Sequence, residues 1–343
     1  MGKKQHFVPR LLLKEFATDN QKKHINIYLL ERNISIINGY LLGQAYRNNL
    51  YGSDQVLEKT LGIIESKFAI VLNKINSNIC ELTEEDCVVA KIFMIIQMNR
   101  TPQAAKDLEE SMDGMIHEMF AGNSKVGKFI EKVSLVMSYP YHELFEQSLV
   151  MAESIIDLRL GILEASKGNT FVIGEHPVIL LNPFLEKRNW LGSKEGLAIK
   201  GTVLIMPISP TKAIILFDNI RYKLANMKKS IIIQETDINL INYCEFLYTN
   251  NCIYYSGIEK KEYEKYSRES SEYRKESKSV VKNVFENDDP IKKRGKIIMV
   301  TNISLPIKHE LSFLVETEYG YKDTKITYRN IYRENVKLPN KNG

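Results

Sequence analysis

The sequence predicts an α+β fold in which a helical amino-terminal half packs on a mostly antiparallel carboxy-terminal sheet. Three observations predict it. Between residues 54 and 163, apolar side chains recur every three or four positions, the spacing of one helical face. From residue 170 the pattern changes to short β-rich runs bounded by Gly, Pro or Asn. At 343 residues, 44% hydrophobic and 26% charged, the chain can bury a substantial core under an ordinary solvated surface. The expected division is a mainly helical region over 1–165, with an amino-terminal motif and a short hairpin, and a β-rich region over 166–335. The two also read as one integrated domain.

The opening places Gln5, His6 and Arg10 against a short amphipathic helix, with Pro9 fixing the backbone. Lys14 and Glu15 interrupt its apolar stretch after three leucines, so a secretory leader is not expected. His6 stands where a myristoylation signal needs Ser or Thr. Residues 25–31 alternate as a strand, and 35–40 can pair with them. From Asp54 the residues Val56, Leu57, Leu61, Ile64, Phe68, Val71, Leu72 and Ile75 form one apolar face, with Ser53 or Asp54 as the N-cap. Thr83 and Asp86 have the spacing of a capping box for a second helix that runs to Gln97 or Arg100 and stops near Pro102. Further helices are expected over 104–120, 128–136 and from Tyr141 or His142 to Leu163.

In the second half, strands are expected at 170–173, 178–181, 202–208 and 212–217, followed by a helix over 238–248 and a strand at 252–255. Residues 258–279 mix Glu, Lys, Arg, Ser and Tyr without a visible apolar stripe, the pattern of a solvated helix or mobile arm. Late strands are expected at 296–300 and 311–316, and a disordered tail from Lys337.

The longest apolar run, Val88 to Ile96, is broken by Lys91 and falls short of the roughly 20 residues that cross a bilayer. A cytoplasmic protein with no membrane partner is expected. Cys80, Cys87, Cys244 and Cys252 lack paired metal-ligand spacing, so a structural zinc site is not expected. The net charge of +5 is mild, and lysine-rich usage accounts for it as well as a basic binding face does. Phosphate-loop, dinucleotide-binding, serine-hydrolase and zinc-peptidase signatures are absent.

Four constellations carry candidate chemistry. His6 and Arg10 flank Pro9 and combine a proton carrier with an anion-binding cation; alternatively His6 pins the amino terminus through hydrogen bonds. Glu58 and Glu65 share a helix face two turns apart. A half-buried Glu65 needs a partner, whether Arg100 in an ion pair, His6 or a metal ion. Gln97 and Arg100 close an apolar helix on one side, where Arg100 either forks onto an anion or caps the helix. Glu175 and His176 sit between Gly174 and Pro177, as an acid–base pair, as metal ligands or as a plain turn.

The stretch Gln5-His6-Phe7-Val8-Pro9 resembles the Gln-His-Tyr-Val-Pro opening of the bacterial domain-of-unknown-function family 4238. Asn48-Asn49-Leu50-Tyr51 with Glu58 and Glu65 is similar to that family's Asn/Tyr block and paired glutamates. Gln97 to Pro102 is similar to its Gln-x-x-Arg-Thr-Pro. Residues 174–178 and 206–210 resemble Ser-Asp-Asn-Pro-Val and Pro-Leu-Ser-Pro, with Glu175 in place of Asp and His176 in place of Asn. The resemblance implies a shared fold and names no reaction.

The functional expectation is a hydrolase that cleaves phosphodiesters of nucleic acid, set in bacterial defence or toxin action. His6, Arg10, Glu65, Gln97, Arg100 and Glu175 would converge in one cleft. In it His6, Glu65 and Glu175 are catalytic, Arg10, Tyr51, Gln97, Arg100 and His176 bind substrate, and a divalent ion such as Mg²⁺ is the candidate cofactor. The alternative is a non-enzymatic binding or adaptor protein in which the His6, Arg100 and Glu175 cluster is structural.

Overall fold

Strands from both halves of the chain interleave, and that interleaving brings the amino-terminal motif beside the main helices. The computed structural model describes residues 2–77, 82–120, 140–188, 196–225, 230–276, 280–287, 295–302, 310–319 and 329. Strands β1 (Lys4–His6) and β4 (Tyr46–Asn48) pair antiparallel. The expected hairpin is β2 (His24–Leu29) with β3 (Ile34–Tyr40). Its inner strand β2 pairs in turn with β12 (Cys252–Tyr255), which also holds β6 (Ile173–Gly174). One sheet of order β3-β2-β12-β6 thus joins residues more than 200 positions apart.

A five-stranded sheet forms the centre, in the order β11 (Ile231–Ile233), β5 (Arg159–Ala165), β9 (Lys212–Phe217), β8 (Val203–Ser209) and β7 (Ile179–Leu181). All its pairings are antiparallel except β11 with β5. Every residue of β8 and β9 is buried, so the sheet is covered on both faces. Alternation sorts β8: Leu204, Met206 and Ile208 enter the core that holds Leu12, Leu13, Phe68 and Phe93, while Val203 and Ile205 enter a second core with Ile238 and Ile241. The short β10 (Tyr222–Leu224) pairs with β15 (Leu314–Glu316), and β13 (Val280–Asn287) with β14 (Gly295–Asn302).

Helix α1 (Arg10–Glu15) follows Pro9, and α2 (Val56–Ser77) and α3 (Glu84–Asn99) lie beside it. Asp54 accepts from the Val56 amide at 3.2 Å, but the residue that flanks α2 is Gln55, whose carbonyl accepts from the Lys59 amide, so the cap falls one position after the expected Ser53 or Asp54. The capping box forms: Asp86 accepts from the Thr83 amide at 2.8 Å, and Thr83 accepts from the Asp86 amide. Lys74 donates to both Asp86 oxygens at 2.8 Å and ties the end of α2 to the start of α3. Phe68 and Phe93 stack at 3.8 Å between these helices. Helices α4 (Pro102–Phe120), α5 (Pro140–Glu153), α6 (Pro183–Lys187) and α7 (Glu235–Tyr248) complete the packing.

Two expectations are corrected. The helix expected to run to Leu163 ends at Glu153, and Arg159–Ala165 is strand β5. Its residues line a sheet covered on both sides, and such a run shows no alternation to distinguish it from a helix. Gly161 fits that strand because a Cβ there would meet Leu224 at 2.9 Å.

The charged stretch after 258 is helix α8 (Lys260–Glu276), and it does carry a packed stripe. Tyr263, Tyr266, Ser267 and Ser270 are buried at helical spacing. Tyr263 packs at 4.8 Å from Tyr28 and 5.0 Å from Tyr255. Tyrosine and serine read as polar in the sequence, which hid the stripe. The helix expected at 128–136 and the tail from Lys337 lie outside the described residues. No described helix is long and apolar enough to cross a membrane.

Candidate functional site

The site begins with period-two alternation in β1. Lys4 and His6 project to one side and Gln5 to the other, where it is buried. Gln5 accepts from the Tyr51 amide at 2.6 Å and donates to the Gly52 carbonyl at 3.3 Å, fixing the strand against the loop that leads to α2. Phe7 and Val8 then enter the core, and Pro9, with φ −59°, precedes the first residue of α1. Arg10 is the first helical residue and is exposed.

Helix α2 presents Glu58 and Glu65 two turns apart on the side facing β1. Arg100 closes α3 as its C-cap and sends its side chain back toward the same place. Each of its three nitrogens donates to protein: Nη2 to the His6 carbonyl at 2.6 Å, Nη1 to Glu65 Oε1 at 2.7 Å, and Nε to the Tyr51 hydroxyl at 3.1 Å. Burial opposes that charge, but the Tyr51 oxygen and the Glu65 carboxylate outweigh it and hold the Arg100 pKa above its ordinary value.

These groups surround a cavity of about 430 Å³ lined by Lys4, His6, Arg10, Tyr40, Leu42, Glu58, Glu65 and Arg100. Its electrostatics are mixed by design of the chain: three cations, two carboxyl groups and one imidazole. Burial lowers the His6 pKa to about 4, helped by the positive charges of Arg10, Arg100 and Lys4, with a hydrogen bond to the Leu42 backbone acting the other way. His6 is therefore neutral near pH 7. Burial pushes the Glu58 carboxyl up, and the neighbouring Glu65 adds to it, while Arg100 and Arg10 pull it down. Both His6 Nε2 and Glu58 Oε2 are buried without a hydrogen-bond partner. Lys4 and Arg10 have no carboxylate within ion-pair distance among the described residues. Lys4 instead lies 4.3 Å from the Tyr46 ring centre.

Four of the sequence-selected residues thus meet: His6, Arg10, Glu65 and Arg100. The remaining four do not line the cavity. Tyr51 is buried behind Arg100, with its hydroxyl pKa raised to about 12 by burial, and it donates to the His6 carbonyl at 3.1 Å. Gln97 is buried and donates to the Phe7 carbonyl at 2.8 Å, so it holds the chain that carries His6. The six-residue cleft is corrected for Gln97 and Glu175. Glu175 sits at the end of β6, where one carboxyl oxygen accepts from the Asn251 amide at 3.1 Å and its side chain at 3.0 Å. Burial raises its pKa, with Asn251 opposing. His176 contacts the Thr101 hydroxyl at 2.9 Å, and burial lowers its pKa to about 4. It thus abuts the residue that follows Arg100.

The residues that sequence reasoning missed are Lys4, Tyr40 and Leu42, and Glu58 as more than the companion of Glu65. The seven-residue spacing of Glu58 and Glu65 carried a signal. Lys4 had one only if β1 had been recognised, and no local pattern marked Tyr40 or Leu42. Also unforeseen is Glu245 of α7, fully buried, which accepts from the Gly174 amide at 2.7 Å and whose burial raises its pKa to about 8. No three His, Cys, Asp or Glu side chains converge as metal ligands among the described residues.

The residues around this cavity lie within a wider match. The profile of a family described as protein of unknown function (DUF4238) covers residues 4–259. The chain belongs to that family. The match extends from β1 to the residue before α8 and includes every residue of the cavity wall. Neither a curated protein nor a solved structure matches the chain.

Proposed function

We propose that the protein is a hydrolase that cleaves phosphodiesters of nucleic acid in the cavity between β1, α1, α2 and the end of α3. The observation that carries this reading is the meeting of an imidazole, a carboxyl group and two cations without a carboxylate partner among the described residues, Lys4 and Arg10, around one cavity. Phosphodiester cleavage needs a base to take a proton from the nucleophile, an acid to protonate the leaving oxygen, and positive charge for the phosphorane-like transition state. His6 is the base, Glu58 the acid, and Lys4 and Arg10 hold the phosphate. Arg100 and Glu65 act behind them. Their ion pair fixes the His6 backbone and contributes a field, since most of its donors are already engaged.

The test is cleavage of a mixed pool of end-labelled DNA, RNA and tRNA by the wild type and by His6→Asn and Glu58→Gln, with and without Mg²⁺. A drop of about 100-fold or more in each variant, with unchanged melting temperatures, is expected for a lost general acid or base. Cleavage by wild type that both variants retain removes the assignment.

A second reading has its own support. Gln5, Tyr51, Gln97, Glu65 and Arg100 form a hydrogen-bonded network around the backbone carbonyls of His6 and Phe7. On this reading the network organises the amino terminus of a non-enzymatic binding or adaptor module, and the cavity is its ligand pocket. Absence of cleavage together with binding of oligonucleotides that Arg10→Ala weakens would favour it.

A further inference from the structure

Helix α2 gives one side to the core and the cavity and leaves its outer face open. On that outer face Val56, Ile63 and Ile70 are 60%, 62% and 58% exposed, although all three are apolar and β-branched. Exposed apolar residues scattered singly are ordinary, but these three recur every seven positions on one helix. At a rise of 1.5 Å per residue they form a line about 20 Å long. None of them lines the cavity described above.

Charge and backbone say what fits this line. Lys59 stands one turn before Ile63 and Lys67 one turn after it, on opposite flanks, and both are exposed. Neither has a carboxylate within ion-pair distance among the described residues, whereas Lys74 is held by Asp86. The acidic side chains of α2, Glu58 and Glu65, are both on the cavity wall. The outer face is therefore an apolar line with only cations beside it. Next to Ile63 stands Gly62, where an added Cβ would meet nothing within 4 Å. Glycine in a helix interior costs stability relative to alanine, and no packing inside the chain requires it here. A backbone that comes close from outside does require it.

We infer that this face docks an acidic amphipathic helix of another protein, its apolar side chains over Val56, Ile63 and Ile70 and its carboxylates over Lys59 and Lys67. A second copy of the chain fits poorly. Antiparallel pairing about Ile63 sets Lys59 of each copy against Lys67 of the other, and parallel pairing sets each lysine against its own counterpart. A lipid surface fits poorly too. Interfacial helices present a broad apolar face with Trp, Phe or Leu, and this line is one side chain wide.

The experiment measures, by fluorescence anisotropy, binding to the full chain of a labelled three-heptad peptide with Leu at a and d and Glu at e and g. The same peptide with Lys at e and g is the control. Expected are micromolar binding of the Glu peptide, at least about tenfold weaker binding of the Lys peptide, and a loss of at least about tenfold in Ile63→Asp. Reversing both lysines, Lys59→Glu with Lys67→Glu, should exchange the preference between the two peptides. All three positions are exposed, so the variants keep the wild-type circular dichroism. Gly62→Ala should raise the melting temperature yet weaken binding, which a glycine serving only the fold would not do; unchanged or tighter binding overturns the close approach. Equal binding of both peptides, binding that Ile63→Asp leaves intact, or no binding up to about 100 μM overturns the docking surface. Sedimentation that shows dimers dissociated by Ile63→Asp assigns the face to a second copy. Anionic phosphatidylglycerol vesicles bound through Ile63 assign it to a lipid surface, and either result overturns the acidic helix.

Discussion

Replacing Arg100 by Lys keeps the charge and removes the fork, and the structure fixes what that costs. The three donors of Arg100 reach the His6 carbonyl at 2.6 Å, Glu65 at 2.7 Å and the Tyr51 hydroxyl at 3.1 Å. An ammonium on a shorter, tetrahedral head can keep the Glu65 contact but cannot meet acceptors set by a planar guanidinium. Two hydrogen bonds to a charged group are lost, each worth about 1.5–3 kcal/mol. Water entering from the cavity offsets part of the loss, so the net effect is about 3 kcal/mol. Urea unfolding followed by circular dichroism reads this as a midpoint lowered by about 1 M with an unchanged slope. Glu65→Gln and the double variant then complete a cycle, with a coupling energy of at least about 1 kcal/mol. An Arg100→Lys unfolding free energy within about 0.5 kcal/mol of wild type would refute the three-bond fork. The exposed Lys22–Glu15 pair is the control, with Lys22→Ala expected to change stability by less than about 1 kcal/mol.

Three further outcomes follow from the packing. Glu245 has a folded pKa raised to about 8, so its favourable contribution is complete below the unfolded value near 4.5 and is lost as pH rises toward 8. Glu245→Gln removes that loss, and its advantage in unfolding free energy over wild type should grow between pH 5 and 8, on the order of 4 kcal/mol at the upper end; a constant difference contradicts the shift. A Cβ on Gly174 would lie 1.9 Å from Thr249 Oγ1, so Gly174→Ala should destabilise by about 2–3 kcal/mol, and by clearly less in a Thr249→Ala background; equal costs in both backgrounds would place the strain elsewhere. Tyr266 is buried and donates to Asn239 at 2.6 Å, so Tyr266→Ala should loosen α8 and expose 260–276 to limited proteolysis, whereas unchanged protection would mean that the helix is held by other contacts.

The α+β organisation was readable because helical and β-rich segments separate along the sequence, and Thr83–Asp86 announced a helix start through a local mechanism. Arg159–Ala165 was misread because a strand covered on both faces loses its alternation. The stripe of α8 was missed because tyrosine and serine bury well when their hydroxyls find partners, as Tyr266 does with Asn239. At the site, His6, Arg10, Glu65 and Arg100 were legible from their residue types and placement next to Pro9 and Pro102. Which of the selected residues share a wall was not legible, since that depends on β1 pairing with residues 46–48 and on a side chain that folds back from the end of α3. Gln97 and Tyr51 were chosen for the right neighbourhood but serve the backbone that carries His6.

The central claim is that His6 accepts a proton and Glu58 donates one, and the pH profile of kcat/KM on a cleaved oligonucleotide tests it most directly. On His6 act the charges of Lys4, Arg10 and Arg100 and the backbone of Leu42; on Glu58 act Arg100, Glu65, Arg10 and Lys3. The account predicts a bell: a rise through about pH 4 as His6 loses its proton, and a fall above the ordinary carboxylate range as Glu58 ionises, with the falling limb abolished in Glu58→Gln. A rate that climbs steadily with pH through neutrality, identically in wild type and Glu58→Gln, would contradict it.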